Sequence, residues 1–269
     1  MLKKVLHKSA AFIAAGMLLI APSLAADKSP IPTISDEVSF VVTPYLWAAG
    51  LTGNVDVNNT QRVHTTMGFD KVLQNLAAAA MGDGEVHYGR WGIYGNAVYT
   101  KLVHEQSNSK GVDGLNLNVN STADAWLGIY TVAGTYTAYA SKSAYLDVLA
   151  GARFLNLNAK VQLDASVQNT PYQGDKTYYS SLRTSDAVAG VKGRIRLGES
   201  SWYVPFYLDA GGGSSVAKLT SQQAIGIGYA FKDADVGLFY NNIYYSLSSG
   251  NISSYINMTG PAVAATFRF

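Results

Sequence analysis

The 269-residue sequence contains no cysteine and few charged residues, and both shortages restrict what the protein can be. Disulfide scaffolds, zinc fingers, iron–sulfur clusters and cysteine nucleophiles are excluded, because each requires a thiolate. Charged residues make up 14% of the chain, well below the roughly 25% that is usual for soluble domains. A mean hydropathy of +0.06 is too high for a disordered chain. The length allows one large folded domain or two small ones.

The N-terminus has the pattern of a secretory signal peptide. A basic start containing three lysines precedes an apolar run over residues 10–21, and the small residues Ser23 and Ala25 suit cleavage after Ala25. The apolar run is shorter than the roughly 20 residues that cross a bilayer as a helix, which argues against a membrane anchor. We therefore predict a signal peptide over residues 1–25, export from the cytoplasm, and a periplasmic N-terminal segment over residues 26–37.

Little net charge remains after cleavage. Removing residues 1–25 takes away three lysines and no acids, so the formal net charge moves from +2 to 17 minus 18, or −1. A near-neutral protein offers no electrostatic reason to bind a polyanion. We predict no nucleic-acid partner, and the sequence carries no motif that calls for a cofactor.

A second long apolar run is absent, and apolar residues instead recur at every second position. Clear examples are residues 146–154, 187–197 and 202–210. Successive side chains of a strand point to opposite faces, so these strands have one apolar face and one face of charge, glycine and tyrosine. A soluble sandwich or barrel would bury the apolar face inside, whereas an outer-membrane barrel would turn it towards lipid. The length of the runs favours the membrane barrel, since soluble strands are usually about five or six residues long.

The last strand carries a more specific signal. Pro261, Val263, Ala265, Phe267 and Phe269 occupy alternate positions, and Phe269 ends the chain. This pattern resembles the C-terminal strand by which Gram-negative outer-membrane barrels are recognised for insertion. It implies that Phe267 and Phe269 form the assembly signal, and that the partners are the outer-membrane assembly machinery, outer-membrane lipid and lipopolysaccharide.

Strand limits follow from the polar breaks between the alternating runs. We predict an all-β fold, a monomeric transmembrane antiparallel β-barrel over residues 38–269, with short periplasmic turns and longer outer loops. An even number of strands leaves both termini in the periplasm. Eight or twelve strands remain open alternatives to ten, because residues 54–66 could hold a hairpin. The ten predicted strands are residues 38–49, 76–88, 91–103, 117–139, 144–163, 182–197, 202–215, 219–231, 235–247 and 255–269.

The first of these strands begins a family resemblance. The stretch Thr43-Pro44-Tyr45-Leu46-Trp47 resembles the start of a largely uncharacterised family of proteobacterial outer-membrane barrels. Similar short marks occur at residues 72–76, 89–92, 149–154, 209–212 and 260–261. The chain departs from the family at residues 238–241, where Leu-Phe-Tyr-Asn replaces a polar strand of the Gly-Tyr-Arg-Tyr type. The resemblance implies a fold and a location, and no known reaction.

Few residues are suited to catalysis at the outer rim. Beyond the signal peptide there are three histidines, and His104-Glu105 with Ser107 and Ser109 is the best combination for a hydrolase acting on lipid A, phospholipid or peptide. A general base must lie within hydrogen-bond reach of its nucleophile. An ordinary polar rim accounts for the same residues more simply. We therefore predict no enzymatic activity and keep the rim hydrolase as the alternative.

His87 shares a predicted face with Glu85 and Asp83. Such a trio could hold a metal ion. Solvated side chains in the barrel lumen explain it more simply, so we predict no metal site.

The charged residues of the predicted strands point to the lumen if the apolar faces meet lipid. Confined charges need a partner or water, so the barrel is either plugged by its own ion pairs or holds a charged water path. The basic stripe on residues 182–197 would attract anions, or it neutralises acids on neighbouring strands, and we favour neutralisation. The predicted function is a narrow or partly plugged passive channel, or a structural surface barrel. The residues predicted to line the lumen are Asp83, Glu85, Asp124, Asp147, Arg153, Asp186, Lys192, Arg194, Arg196 and Asp209.

One stretch breaks the strand rhythm. Phe69, Val72, Leu73 and Leu76 have helical spacing. We predict a short helix in the first outer loop that folds into the barrel mouth as a partial plug. Alternatively, the stretch is the beginning of the second strand.

Overall fold

The computed structural model describes residues 29–57, 61–112, 115–167 and 173–269. The predicted signal peptide lies outside the described residues. Among those that are described, no helix has the length and apolarity to span a membrane. The elements, in chain order, are β1 Ser39–Trp47, β2 Gly50–Val57, β3 Gln61–Met67, α1 Phe69–Gln74, β4 Leu76–Tyr88, β5 Trp91–Val112, β6 Leu115–Ala140, β7 Ala144–Val167, β8 Gln173–Arg196, β9 Trp202–Gly212, β10 Ala217–Ala230, β11 Ala234–Ser249 and β12 Ile252–Arg268.

Ten of these strands close into an antiparallel barrel. The order around the barrel is β1-β4-β5-β6-β7-β8-β9-β10-β11-β12, and β1 also pairs with β12. This seam runs from Val41↔Arg268 to Trp47↔Ala262. Beyond it, the backbones of Phe40 and Phe269 exchange hydrogen bonds of 3.1 and 2.9 Å. The predicted all-β barrel of about ten strands is confirmed.

The hairpin considered for residues 54–66 is also present, but it lies outside the ring. Strand β2 pairs with the outer half of β12, from Gly50↔Thr259 to Val57↔Ile252, and β3 pairs with β2. The other half of β12 pairs with β1. The hairpin therefore extends the barrel wall outward without adding strands to the closed ring.

The two faces of the wall follow from strand alternation. On β6, Ile129 and Thr131 are fully buried. Val132, which lies between the buried residues Thr131 and Ala133, is 54% exposed. Aromatic residues mark the periplasmic end of the outward face: Trp91 packs against Tyr136 with ring centroids 4.8 Å apart. Trp202 on β9, Tyr229 on β10 and Phe231, which directly follows β10, form a second outward aromatic group. An apolar outward band above an aromatic girdle is the surface that a barrel presents to lipid.

The interior is less polar than the sequence pattern predicted. Val98, Ile129, Leu155, Ile243 and Tyr245 point inward and are at most 1% exposed. They form the centre of an apolar cluster in the outer half of the barrel. A barrel of this width is filled mainly by side chains, and in the outer half these are largely apolar.

The predicted helix is present as α1, Phe69–Gln74. None of its residues is buried, and its apolar side chains Phe69 and Leu73 are 41% and 54% exposed. A segment that plugs a barrel buries side chains in it. The helix prediction is therefore confirmed, but the prediction that this helix plugs the mouth is wrong.

The seam gives a first test. Deleting Phe269 removes both backbone hydrogen bonds to Phe40, whereas Phe269→Ser keeps them and removes only the aromatic side chain. We expect both changes to lower the amount of heat-modifiable barrel in outer-membrane fractions, and the deletion to lower it more. Tyr240→Ser is the control, since Tyr240 is an outward aromatic side chain, 56% exposed and away from the chain end. Wild-type assembly of both Phe269 variants would contradict the assembly-signal prediction.

Candidate functional site in the barrel interior

The inward side chains of the periplasmic half form linked charge clusters. Nearest the periplasm, the buried carboxylate of Asp235 accepts hydrogen bonds from Arg194 at 2.6 Å and from Arg268 at 2.5 Å. The Tyr203 hydroxyl donates a third, at 3.3 Å. The two arginines come from strands on either side of β11 in the ring, so this cluster joins β8, β11 and β12.

The same two arginines hold the N-terminal segment. Arg194 donates to the carbonyl of Pro30 at 3.3 Å, and Arg268 donates to the carbonyl of Ser29 at 3.0 Å. Ile31 is only 3% exposed. The described part of the segment predicted for residues 26–37 therefore lies in the periplasmic mouth of the barrel. It partly plugs that mouth, as the outer helix was expected to plug the opposite one.

A second cluster crosses the lumen. The Lys192 ammonium lies 2.6 Å from a Glu85 carboxylate oxygen and 3.5 Å from an oxygen of Asp147. Lys192 is on β8 and Glu85 on β4, which are four places apart in the ring of ten strands. The rings of Tyr94 and Tyr145 face the same ammonium at 5.6 and 5.8 Å. This cluster ties nearly opposite walls together.

Histidine and carboxylate ligands also meet here. Glu85, His87 and Asp147 offer ligand atoms within 4.8 Å of one another, and His87 Nε2 lies 3.1 Å from Glu85. Asp147, rather than the predicted Asp83, completes the trio. One nitrogen and two carboxylates could coordinate zinc. Lys192, however, already pairs with Glu85 and lies 3.5 Å from Asp147, and an ammonium at that position competes with a metal cation.

Asp83 has neutral partners instead. It accepts hydrogen bonds from Tyr94 at 2.9 Å and from Asn96 at 2.6 Å. Asn96 also donates to the Tyr45 hydroxyl at 2.9 Å. Across the lumen, the ring of Tyr94 lies 5.6 Å from the ring of Tyr207 on β9. Together with Tyr145 and Tyr203, these tyrosines line a cavity of about 130 Å³, which has room for several water molecules.

The third cluster is centred on Arg153, whose side chain is completely buried. Its guanidinium forms a two-pronged ion pair with Asp209. It also donates to Thr131 at 3.1 Å, Thr220 at 3.3 Å and Gln222 at 2.9 Å. These partners lie on β6, β9 and β10, so one side chain links four strands just below the apolar cluster.

Eight of the ten predicted lumen residues face the interior. Two of them make no ion pair among the described residues: Asp83, and Asp186, which accepts hydrogen bonds from Thr184 and the Ser214 backbone. The eight are Asp83, Glu85, Asp147, Arg153, Asp186, Lys192, Arg194 and Asp209.

The remaining two residues require correction. Asp124 shares a face of β6 with the exposed Val132, so it points outward, opposite Lys160 on β7. Arg196 lies at the periplasmic rim and donates to the carbonyls of Glu199 and Ser200 at 2.6 and 2.7 Å. Arg196 therefore stabilises a turn and does not extend a basic stripe. Since Lys192 and Arg194 are paired with acids, neutralisation is the interpretation that fits.

The rim residues considered for catalysis are not brought together. His104 points inward and its Nδ1 lies 2.8 Å from Asn75 Oδ1. Glu105 and Ser107 lie at odd positions of β5, which carry the outward side chains such as Trp91. The side chain of Ser109 is outside the described part of the structure. No nucleophile among the described rim residues of this stretch shares a face with His104.

Asp235 is the interior residue that the sequence predictions missed. It is the centre of the periplasmic cluster. The signal was available, because Asp235, Gly237 and Phe239 alternate with the apolar Val236, Leu238 and Tyr240 that face outward. Asp235 is the first residue of the predicted strand 235–247 and the second residue of β11, but it was not included among the predicted lumen residues.

Known proteins resemble this chain in fold but not in sequence. No protein-family model and no curated protein matches the sequence. The outer membrane protease OmpT from Escherichia coli is similar in structure, with a TM-score of 0.51 and 11% identity over 90% of this chain and 100% of that one. The attachment invasion locus protein Ail of Yersinia pestis aligns with a TM-score of 0.33 and 10% identity over 87% of this chain and 100% of that one. The chain has the fold of a bacterial outer-membrane β-barrel, and this fold supports location in the outer membrane.

Proposed function

We propose that the protein is a closed, structural outer-membrane barrel, and that it does not conduct solutes in its resting state. The Pro44–Trp47 motif supports membership of the largely uncharacterised proteobacterial family that it resembles. The proposal includes no catalytic role, because the described rim residues do not assemble a base and a nucleophile.

The Lys192–Glu85 ion pair is the observation that carries this proposal. A contact of 2.6 Å between strands four places apart in a ten-stranded ring spans most of the lumen. An open pore of the porin type keeps its charges on the wall, facing a water-filled channel in barrels of 16 to 18 strands. Here the charges neutralise each other across the interior.

Three further layers support closure. Residues 29–31 occupy the periplasmic mouth, Arg153 and its partners fill the level above Lys192, and the apolar cluster fills the outer half. These layers use different side chains from different strands. Removing one of them leaves the others in place, which distinguishes a filled barrel from a channel with a single gate.

Conductance in planar bilayers tests the proposal. We expect wild-type protein, shown by gel mobility to be folded, to produce no channel steps. The double variant Lys192→Ala/Glu85→Ala removes the cross-lumen pair, and we expect it to stay closed as well, because the apolar layer at Ile129 and Leu155 is unchanged.

Two results would count against a barrel that is closed by several independent layers. Regular channel steps from wild-type protein would show an open path. Steps that occur only in the double variant would show a channel gated by the Lys192–Glu85 pair. Insertion is checked on the same preparation by flotation with vesicles, so that missing protein is not mistaken for a closed barrel.

A further inference from the structure

The outward face of β5 to β8 carries a polar band directly above the apolar band. The register aligns outward residues of these four strands in rungs, and the last apolar rung contains Tyr130 and Phe154. We call the next three rungs the outer polar band. From the apolar side, they are Tyr99, Gly128, Asn156 and Arg183; then Lys101, Trp126, Asn158 and Ser181; then Val103, Asp124, Lys160 and Tyr179.

The height of this band in the membrane follows from strand geometry. Lys101 lies ten residues after Trp91, which belongs to the periplasmic aromatic girdle of the same strand. At about 3.3 Å per residue and a tilt of roughly 40°, ten residues rise about 25 Å, which is the height of the apolar band of such barrels. The outward residues between them are Ile93, Gly95, Ala97 and Tyr99. Lys101 therefore lies at the outer lipid–water boundary.

The outer polar band contains three cations, and one of them, Lys160, lies directly opposite the acid Asp124 in the strand register. The Lys101 ammonium lies 5.4 Å from the ring centre of Trp126, and the Lys160 ammonium lies 6.0 Å from that of Tyr179. Arg183 is exposed. Among the side chains that the structure describes, none of the three forms an ion pair. The inward cations of the charge clusters differ, because each of them forms an ion pair with a carboxylate. These cations are Arg153, Lys192, Arg194 and Arg268.

We propose that the outer polar band binds the phosphorylated disaccharide of lipid A in the outer leaflet. The band holds three cations and one acid, Asp124, so its net charge is positive where the lipid presents phosphates. Lysine and arginine form strong charge-assisted hydrogen bonds to phosphate. Trp126 and Tyr179 add flat faces of the amphipathic kind that concentrates at membrane interfaces.

The spacing of the cations suits a headgroup with more than one phosphate. Lys101 and Arg183 lie on β5 and β8, three strand intervals and one rung apart, or about 16 Å at 4.8 Å per interval and about 6.6 Å per rung. Lys160, on β7, lies one rung further out than Lys101. Trp126 and Asn158 occupy the surface between Lys101 and Arg183. A sugar headgroup lying along the second rung would touch these two residues and reach a cation at each side.

Binding of purified lipids to the folded barrel in detergent tests this inference. Native mass spectrometry would compare bisphosphorylated lipid A, monophosphorylated lipid A and phosphatidylethanolamine. We expect wild-type protein to bind the bisphosphorylated form best. We expect Lys101→Gln/Lys160→Gln to weaken that binding at least about tenfold, since two phosphate contacts are removed. Arg183→Gln should weaken it by a smaller factor.

The matched control is Lys142→Gln/Lys232→Gln, which removes the same charge from two exposed lysines in periplasmic turns. We expect this control to bind bisphosphorylated lipid A as wild type does. Equal weakening in both double variants would show a general charge effect and overturn the proposal. It would also be overturned if wild-type protein bound all three lipids equally. Heat-modified gel mobility confirms that each variant is folded, and the result is independent of whether the barrel conducts.

Discussion

Replacing Arg153 by methionine is expected to lower the free energy of unfolding by about 3 to 5 kcal/mol, the cost of breaking a buried ion pair by removing one partner. Arg153 and Asp209 are both fully buried. Without the guanidinium, the Asp209 carboxylate keeps the Tyr207 hydroxyl at 2.5 Å and the Gln222 backbone amide at 2.9 Å, but its charge has no counter-charge. Urea unfolding in lipid vesicles, followed by tryptophan fluorescence, measures the loss.

A double-mutant cycle separates the unpaired charge from the lost packing. Asp209→Asn keeps an oxygen that can accept from the Gln222 amide and removes the charge. We therefore expect Arg153→Met/Asp209→Asn to be more stable than Arg153→Met alone. If the double variant is instead less stable by the sum of the two single effects, the two side chains do not interact energetically and the Arg153 cluster is not held by charge.

Replacing Val132 by arginine is expected to cost about 2 to 4 kcal/mol of folding free energy, because it places a charge near the bilayer midplane. Val132 is 54% exposed, points outward and pairs with Gly95, four residues after the girdle residue Trp91. The expected result is a lower yield of heat-modifiable barrel and a lower urea midpoint in vesicles.

Thr122→Arg is the matched control for Val132→Arg. Thr122 lies ten residues earlier on the same strand and the same face, opposite Glu105 and beyond the outer polar band. A charge there lies in or near water, so we expect a change of about 0 to 1 kcal/mol. Equal destabilisation by the two arginines would contradict the position assigned to the lipid band.

The barrel itself could be predicted from the sequence because its strands are long and two-faced. The alternation at residues 146–154 and 187–197 is enforced by lipid on one side, which makes a charge costly at outward positions within the hydrocarbon layer. The last strand shows the same alternation up to Phe269, which extended the prediction to the end of the given sequence. Alternation involves only neighbouring residues, so it can be recognised from a single sequence.

The interior could be predicted only in outline. Which acid neutralises Lys192 depends on which strands face each other across the ring, and Glu85 lies 107 residues away in the chain. The apolar cluster around Ile129 was not predicted, because an apolar inward side chain looks the same in a sequence as a lipid-facing one. Asp124 was misplaced for a related reason. One step of register reverses a strand's faces, and the polar outer end of β6 shows no contrast by which to fix them.

The way the N-terminal segment is held has a consequence for how this protein can vary between species. Arg194 and Arg268 bind the carbonyls of Pro30 and Ser29, and every residue type supplies that carbonyl. Exposed side chains of this segment can therefore change without moving its backbone, whereas the buried Ile31 and the Ser29 hydroxyl, which hydrogen-bonds to the Ile31 backbone, are more constrained. The number of residues in the segment is therefore constrained more strongly than most of its residue types. An insertion or deletion of one residue would move both carbonyls away from the arginines, whereas a substitution at the exposed Thr33 would leave them in place.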